Sequence, residues 1–247
     1  MANYLKLWKT FVDEPAADIP EISVPSNLRS RRYVVKAANP QIVTFETGEV
    51  AAILEQASDR LELYLLLMLN CGMTQQDIAD LQASEVDFEA GRIIRRRSKE
   101  ANAPLVNWLL WDRTAEMLAE QGYQDGNVLR KVDGGPLVES GIQEDGREFR
   151  RDAIVSNWRH LVAKCKRREL LAADWHKTLK DFRKTGATVI ERSPDAEFVD
   201  MFLDHSRVAR QHYLKGQVVP KFDRAVVWLG EQFGLATSDV RFAGPTV

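Results

Sequence analysis

The sequence predicts a mainly helical α+β domain that carries one small antiparallel sheet. Apolar residues recur at helical spacing in several segments between residues 47 and 233. On either side of Glu89-Ala90-Gly91 the residues instead alternate with the period of a β-hairpin. The chain has 247 residues, of which 45% are apolar, and this is enough for a substantial core. Helices therefore make up most of the predicted domain.

The N-terminal part of the chain is expected to lie outside this domain. Residues 1–12 have a short amphipathic pattern, whereas residues 13–43 contain four of the nine prolines and little periodicity. The second stretch is typical of an extended linker, and it includes a basic cluster at Arg29, Arg31 and Arg32. The predicted organisation is an N-terminal helix remnant with a basic linker over 1–43, the main domain over 44–233 and a mobile tail over 234–247.

Caps and apolar stretches define the first elements of the domain. Residues 47–57 are expected to form a helix capped by Thr47. The stretch Leu61–Asn70 is apolar on nearly all sides and predicts a buried helix. Thr74-Gln75-Gln76-Asp77 has the pattern of a capping box, with aspartate in the usual Glu or Gln position. It predicts a short helix that ends near Leu81.

Strands and a loop follow. Val86–Phe88 and Arg92–Arg97 are the two predicted hairpin strands, and Leu105–Leu109 is a candidate third strand. A helix is predicted over Asp112–Gln121. Residues 122–147 contain six glycines and are expected to form a long loop.

The second half is predicted to be helical. Apolar spacing predicts five helices, over Glu148–Arg168, Thr178–Glu191, Asp195–Asp204, Arg207–Tyr213 and Pro220–Phe233. Gly186 lies inside one of them, where glycine costs about 1 kcal/mol relative to alanine. Its presence suggests that another element packs closely against the helix at this position.

Cysteine usage and hydropathy favour a cytoplasmic globular protein. Cys71 and Cys165 are the only cysteines, and they fit reduced structural thiols better than a disulfide. The N-terminus lacks the pattern of a signal peptide, and the most apolar run, Leu61–Leu69, is about half as long as a membrane span.

Charge is segregated along the chain although the net charge is only −2. Residues 92–99 contain five basic residues and no acid, and residues 147–184 contain twelve Lys or Arg against five Asp or Glu. Such segments can form a phosphate-binding surface on a weakly acidic protein. Ordinary solvated helix faces explain the same pattern, and charge alone does not choose between the two.

Four residues in the second half supply groups suited to attacking a DNA phosphate with a phenol. Arg183 lies one helical turn after Lys180, His205 follows 22 positions later, and Tyr213 comes eight after that. The transition state of such an attack carries extra negative charge, which arginine forks stabilise. The leaving 5′-oxygen needs a proton donor.

Two blocks of sequence resemble the catalytic domain of the tyrosine recombinases, the phage integrase family. The first is Gly72-Met73-Thr74-Gln75-Gln76-Asp77-Ile78-Ala79-Asp80-Leu81 with the hairpin and Ser98-Lys99; the second is Lys180-Asp181-Phe182-Arg183-Lys184-Thr185-Gly186-Ala187-Thr188 with Phe202-Leu203-Asp204-His205 and Tyr213. The resemblance covers residues 44–233 and implies the tyrosine-recombinase catalytic fold.

The resemblance also implies a reaction and its partners. A tyrosine cleaves double-stranded DNA through a 3′-phosphotyrosine intermediate, and a second strand reverses the step without a metal or other cofactor. Members of the family act as tetramers on DNA, and we expect a monomer when DNA is absent. Integration, excision, transposition and resolution, as in mobile genetic elements, are all compatible with this chemistry.

Roles for individual residues follow from the same resemblance. Tyr213 would be the nucleophile, and Arg183 and His205 would bind the scissile phosphate. Lys180 stands where the family most often has histidine. Lys99 matches the general-acid lysine of the hairpin. DNA contacts are expected from Arg95, Arg96, Arg97, Lys184, Arg29, Arg31 and Arg32. Taken singly, Tyr213 is typical of a half-buried helix tyrosine, Arg183 of a surface helix arginine, His205 of a helix-end histidine and Lys99 of a solvated turn lysine.

His205 and Tyr213 also constrain the local structure. Eight residues of continuous helix span about 12 Å and turn the two side chains roughly 80° apart, so both could hardly reach one phosphate. The sequence therefore predicts a helix break after His205, with Ser206 as the cap of the next helix.

Thr74 is the main departure from the family pattern. The first family arginine falls at this position, and threonine cannot supply a charged fork. Loss of one preorganised donor typically lowers a rate by about 10²–10³. The site is therefore expected to be slow, inactive, or assisted by another cation, for which Arg95, Arg96 and Arg97 are the candidates.

Three alternatives remain from the sequence. Residues 73–81 also resemble the first helix of a helix-turn-helix regulator, although the hairpin pattern that follows does not fit a recognition helix. A recombinase fold that binds DNA without cutting it fits the threonine at position 74. A type IB topoisomerase would share the chemistry, but the short hairpin and the separate linker favour a recombinase.

Overall fold

A computed structural model of the chain describes residues 42–96, 105–122, 125–143, 145–203 and 216–236. Their elements are α1 (Thr47–Gln56), α2 (Asp59–Asn70), α3 (Gln75–Ala79), β1 (Val86–Asp87), β2 (Arg92–Arg96), β3 (Leu105–Leu109), α4 (Asp112–Gln121), β4 (Val138–Ile142), β5 (Glu148–Asp152), α5 (Ala153–Arg167), α6 (Leu179–Ile190), α7 (Val199–Phe202) and α8 (Pro220–Gln232). Short 3₁₀ turns occupy Ala83–Glu85 and Ala196–Phe198.

Helix α2 is the centre of the core. Its residues from Leu61 to Asn70 are all buried, and it packs against α3, α4, α5, α6 and α8. Asn70 is its only fully buried polar side chain, and its amide satisfies two backbone groups, donating to the carbonyl of Leu109 at 3.0 Å and accepting from the N–H of Trp111 at 2.9 Å. The predicted all-round burial of this helix is confirmed, and the amide fixes its C-terminal end against β3.

An aromatic cluster joins the start of the described domain to α6. The rings of Phe45 and Phe182 lie 4.2 Å apart between centroids, and Trp158 and Trp175 pack edge-on or tilted around them. The backbone N–H of Phe45 donates to the buried hydroxyl of Thr185 at 2.8 Å. Two of its four rings, Trp158 and Phe182, come from the apolar faces that the sequence predicted for α5 and α6.

The predicted hairpin and its third strand are confirmed as the sheet β1–β2–β3. Both pairs are antiparallel, with Val86 opposite Ile93 and Ile93 opposite Trp108. Gly91 has a φ of +61° at the turn, a conformation that L side chains avoid. Along β2, Ile93 and Arg95 are buried while Arg96 is exposed, so the strand alternates as predicted but places an arginine on the buried face.

A second hairpin corrects two expectations. Residues 122–147 were expected to form a loop, yet β4 lies within them and pairs antiparallel with β5, with Gly141 opposite Phe149. The helix expected from Glu148 begins only at Ala153, where the carboxylate of Asp152 accepts from the N–H of Val155 at 2.9 Å. No residue of these two strands is fully buried, and they carry no apolar alternation, so the period-2 signal is absent.

Close packing at Gly186 is confirmed. A Cβ atom built there would lie 2.7 Å from the ring of Phe202 and 3.1 Å from the carbonyl oxygen of Leu69. Helices α2, α6 and α7 therefore meet at this glycine. Cys71 and Cys165 are both buried and free, as the sequence predicted.

No helix among the described residues is long and apolar enough to cross a membrane. The predictions for residues 1–41, for the helix over 207–213 and for the tail after 236 lie outside the described ranges.

Candidate functional site

Thr74 forms the N-cap of α3. Its hydroxyl donates to the carboxylate of Asp77 at 2.7 Å and accepts from the N–H of Asp77 at 3.3 Å. The N–H of Thr74 donates to the same carboxylate at 2.8 Å. The capping box predicted from the sequence is confirmed, and the Thr74 side chain is committed to holding this helix end.

Helix α6 begins with a second capping box and presents three of the predicted cations. Thr178 caps it, and the N–H and hydroxyl of Thr178 donate to the carboxylate of Asp181. Lys184 also pairs with Asp181, at 2.7 Å. Burial raises the pKa of the Asp181 carboxyl, but the hydrogen bonds from Lys184 and Thr178 outweigh it and hold the pKa below its ordinary value. Lys184 therefore has a local partner within its own helix.

Lys180 and Arg183 lie one turn apart on α6, and their surroundings differ. Lys180 is exposed and makes no hydrogen bond or ion pair with the residues that the structure describes. Arg183 is half-buried, donating through Nη1 to the carbonyl of Gly72 at 2.7 Å and through Nη2 to the carbonyl of Leu203. Arg183 thus joins the turn before Thr74 to the end of α7.

Backbone geometry makes this junction tight. Gly72 has a φ of +60°, and a Cβ there would lie 2.8 Å from the carbonyl oxygen of Phe202. Only glycine fits both the conformation and the close approach. As a result, the two sequence blocks meet at Gly72, Arg183 and Leu203.

Arg95 is the buried cation of this region. Its side chain is 3% exposed, and its Nη1 donates to the carbonyl oxygen of Asp77 in α3 at 2.5 Å. The carboxylate of Glu85 lies 3.8 Å from its Nε, beyond hydrogen-bond distance. Arg95 and Arg183 line the same narrow cleft, which also contacts Trp108 and Phe202.

Arg92, from the same basic strand, faces the other way. It forms a bidentate ion pair with the buried Asp223 of α8 and donates to the side-chain oxygen of Asn107 at 3.0 Å. The amide of Asn107 donates in turn to the carbonyl of Gly216 at 2.9 Å. This network, which the sequence did not reveal, anchors the chain three residues after Tyr213.

A second basic surface lies on the unpredicted hairpin. A groove of about 600 Å³ is lined by four cations, Lys131, Arg150, Arg151 and Arg159, and by two acids, Glu139 and Asp152. Arg150 donates to the side chain of Gln76 in α3 at 3.2 Å, so the groove adjoins the helix that Thr74 caps. The high basic content of residues 147–184 was the signal for this surface, although the hairpin that builds it was missed.

Similarity to known proteins was found in three-dimensional structure alone. No family model and no curated protein matches the sequence. The crystal structure of XerA recombinase aligns with a TM-score of 0.51 and 17% identity, over 89% of this chain and 72% of that one. The fold is that of the tyrosine-recombinase catalytic domain.

Complexes of the Tn1549 transposon integrase show the same tyrosine-recombinase fold. One of them, with circular intermediate DNA, aligns with a TM-score of 0.53 and 12% identity, over 88% of this chain and 73% of that one. Another, with transposon right-end DNA, aligns with a TM-score of 0.52 and 13% identity, over 78% and 67%. At these identities the likeness concerns architecture.

The tyrosine-recombinase fold brings together only part of the predicted site. Arg183 lies at the junction of the two blocks, with Arg95 in the same cleft and Lys180 one turn away on the exposed face of α6. Arg96 is exposed on β2. The remaining candidates lie outside the described residues: Lys99, Arg97, His205, Ser206, Tyr213, Arg29, Arg31 and Arg32. No group of three or more His, Cys, Asp or Glu side chains in the described ranges is placed to hold a metal ion.

Proposed function

We propose that this protein is a site-specific DNA recombinase that cuts and rejoins strands through a 3′-phosphotyrosine at Tyr213. The observation that carries the proposal is the placement of Arg183. Its guanidinium is held between the carbonyls of Gly72 and Leu203, where the two sequence blocks meet. These two hydrogen bonds fix the direction of the Arg183 guanidinium, and arginine forks are well suited to phosphate oxygens.

The proposed reaction needs help at three points. Ionising a phenol at pH 7 costs about 4 kcal/mol, because its pKa is near 10. The Tyr213 oxygen attacks phosphorus, the bond to the 5′-oxygen breaks, and that oxygen takes a proton for which Lys99 is the candidate donor. Arg183 and His205 would bind the non-bridging oxygens, where negative charge develops. Lys180 would add positive charge from the same helix face as Arg183.

Double-stranded DNA is the proposed partner, and residues 44–233 are the proposed catalytic domain. Exposed cations support an approach by a phosphate backbone: Arg96 on β2, Lys180 one turn from Arg183 on α6, and the groove with Arg150, Arg151 and Arg159 beside α3. The basic linker with Arg29, Arg31 and Arg32 would contact the same duplex. Assembly as a tetramer on DNA is part of the proposal.

A second candidate function is DNA binding without cleavage. The observation in its favour is Thr74, whose side chain closes a capping box where the family has an arginine. A fold that had lost its first phosphate-binding arginine and gained a helix cap would keep its stability and its basic surface. The two candidates differ in one measurable product, the covalent protein–DNA complex.

The experiment uses a duplex selected from a random-sequence library for binding to the full chain. The selected site is then given a nick that traps the cleaved strand, and covalent complex is measured on a denaturing gel with labelled DNA. We expect a complex that Tyr213→Phe abolishes and Tyr123→Phe leaves unchanged. Tight binding without any covalent complex would favour the second candidate. Cleavage that survives Tyr213→Phe would show that another residue is the nucleophile.

A further inference from the structure

Arg95 and Trp108 lie side by side on the buried face of the first sheet. Ile93 pairs with Trp108 and Arg95 pairs with Val106, so Arg95 and Trp108 are diagonal neighbours on adjacent strands. Long and aromatic side chains at such positions can reach the same spot. Both line the narrow cleft that Arg183 also contacts.

Each of these two side chains has a buried donor without a partner. Arg95 Nε and Trp108 Nε1 make no hydrogen bond to any described residue, and both atoms are shielded from solvent. Buried polar groups in native proteins are nearly always satisfied. Two unsatisfied N–H groups in residues around one cleft therefore indicate an acceptor that binds from outside the chain.

The size of the cleft limits what that acceptor can be. Its cavity volume is about 10 Å³, which is close to the minimum space for one water molecule. A single oxygen atom fits this space, whereas a ring or a side chain does not. The acceptor is thus one oxygen, either of water or at the tip of a larger ligand.

Charge favours an anionic oxygen. Two guanidinium groups, those of Arg95 and Arg183, line the cleft against one carboxylate, that of Asp77. This carboxylate accepts from the N–H and hydroxyl of Thr74 at 2.8 and 2.7 Å. Glu85 forms an ion pair with Arg95 at 3.8 Å, which offsets part of the Arg95 charge but is too long to satisfy the Nε proton as a hydrogen bond. Arginine pairs are well suited to phosphate oxygens.

We propose that Arg95 and Trp108 bind a non-bridging oxygen of the scissile phosphate beside Arg183, so that Arg95 supplies the charge that Thr74 cannot. The hydrogen bond from Arg95 to Asp77 fixes its guanidinium against α3, the helix that Thr74 caps. The substitute cation thus comes from the neighbouring strand. This inference rests on the proposed recombinase function, although the oxygen site can be measured separately.

The first experiment measures the oxygen site in the full chain without cleavage. Dimethyl phosphate, a phosphodiester mimic, is titrated into ¹⁵N-labelled protein, and the Trp108 indole N–H signal is assigned with Trp108→Phe. We expect a saturable shift of this signal that Arg95→Gln removes. Arg224→Gln, which alters an exposed arginine paired with Asp195, should retain it. A Trp108 signal unchanged by dimethyl phosphate would mean that water alone fills the cleft, and the proposal would be overturned.

The second experiment measures the covalent-complex rate at saturating DNA. We expect Arg95→Gln to lower the rate of covalent-complex formation by about 10²-fold or more, as for loss of one oxyanion donor. Trp108→Phe removes the indole N–H but keeps an aromatic ring in the core, and it should lower the rate less. Arg224→Gln, which removes a surface partner of Asp195, should leave the rate at saturation intact. Thr74→Arg should restore the rate of Arg95→Gln and add little to the unmodified chain.

Two results separate this proposal from the proposed function. If Tyr213→Phe abolishes the complex but folded Arg95→Gln and Trp108→Phe react like Arg224→Gln, the recombinase stands and the role of Arg95 is refuted. If the unmodified chain binds DNA and forms no complex, cleavage is refuted, and the dimethyl phosphate titration alone decides whether the oxygen site exists. Circular dichroism of each variant establishes which ones are folded.

Discussion

Arg92 and Asp223 form a bidentate ion pair that joins strand β2 to helix α8. The two bonds measure 3.2 and 2.5 Å, and the side chains of Arg92 and Asp223 are 12% and 1% exposed. The same guanidinium bonds Asn107, which holds the carbonyl of Gly216. The pair and Asn107 therefore connect four parts of the chain, namely β2, β3, α8 and Gly216, which follows Tyr213 by three residues.

Breaking this pair should destabilise the fold strongly. Asp223→Ala leaves a largely buried guanidinium unpaired, and we expect the free energy of unfolding to fall by about 3–5 kcal/mol. The control is Glu197→Ala, which removes an exposed partner of Lys221 at 3.7 Å and should cost less than about 1 kcal/mol. Urea unfolding followed by circular dichroism measures both. Equal effects would show that burial of the pair is unimportant.

Thr74→Ala should weaken the start of α3. It removes the hydroxyl that both donates to and accepts from Asp77, and loss of such a cap costs about 1 kcal/mol. Thr74→Ser keeps the hydroxyl and should be close to neutral. Thermal unfolding of the two variants side by side tests this, and a serine variant as unstable as the alanine variant would count against the cap.

Gly186→Ala should destabilise although alanine is the better helix former. The new Cβ would lie 2.7 Å from the Phe202 ring and 3.1 Å from a backbone oxygen, and overpacking of this kind costs about 1–3 kcal/mol. Gly48→Ala in α1 is the matched control, because nothing lies within 4 Å of a Cβ there. It should stabilise by up to about 1 kcal/mol. The two substitutions are expected to change the free energy of unfolding in opposite directions, and urea unfolding measures both changes.

DNA affinity should depend steeply on salt through the groove on the second hairpin. Arg150→Gln and Arg159→Gln should each weaken binding and reduce the slope of log affinity against log salt by about 1, if each contacts one phosphate. Arg224→Gln, which removes a partner of Asp195, should leave the slope unchanged. Titration of a labelled duplex between 50 and 200 mM salt, about the range over which such contacts matter, provides the measurement. Unchanged slopes for both groove variants would place the duplex elsewhere.

Lowering the pH should weaken the N-terminal cap of α6, because the Asp181 carboxylate becomes protonated. Because the folded-state pKa of this carboxyl lies below its ordinary value of 3.8, its contribution to stability is present at neutral pH. The contribution is lost as pH falls from about 4 through the folded pKa. Asp181→Asn should therefore be less stable than the unmodified chain at pH 7, and the gap should narrow toward pH 3. A gap that stays constant with pH would contradict this linkage.

The sequence predicted correctly those elements that depend only on residues close together along the chain. The all-round apolar pattern of α2, the Thr74 capping box and the Glu89-Ala90-Gly91 turn each depend on residues close together in sequence, and all three are confirmed. The hairpin β4–β5 was missed because its strands are polar. The fit of Gly141 under the Phe149 ring exists only once the two strands pair.

The sequence predicted which residues belong to the candidate site, but it predicted less well how those residues are buried and which groups they contact. Sequence placed Lys180 and Arg183 on one helix face, and the structure confirms that helix. The burial of Arg95 could not be foreseen, because arginine is ordinarily exposed and its partner is a backbone carbonyl of α3 that comes near only when α3 packs on the sheet. The sequence predicted Trp108 only as a strand residue, because its place beside Arg95 likewise depends on the packing of the folded domain.

The hydrogen bonds of Arg183 reach 111 positions back to Gly72 and 20 positions forward to Leu203. Contacts of such long sequence separation form only after the intervening chain has closed, which makes them late events in folding. A nascent or partly folded chain therefore holds this guanidinium in no fixed direction. Any reactivity that depends on its orientation is therefore withheld until the two halves of the domain have docked.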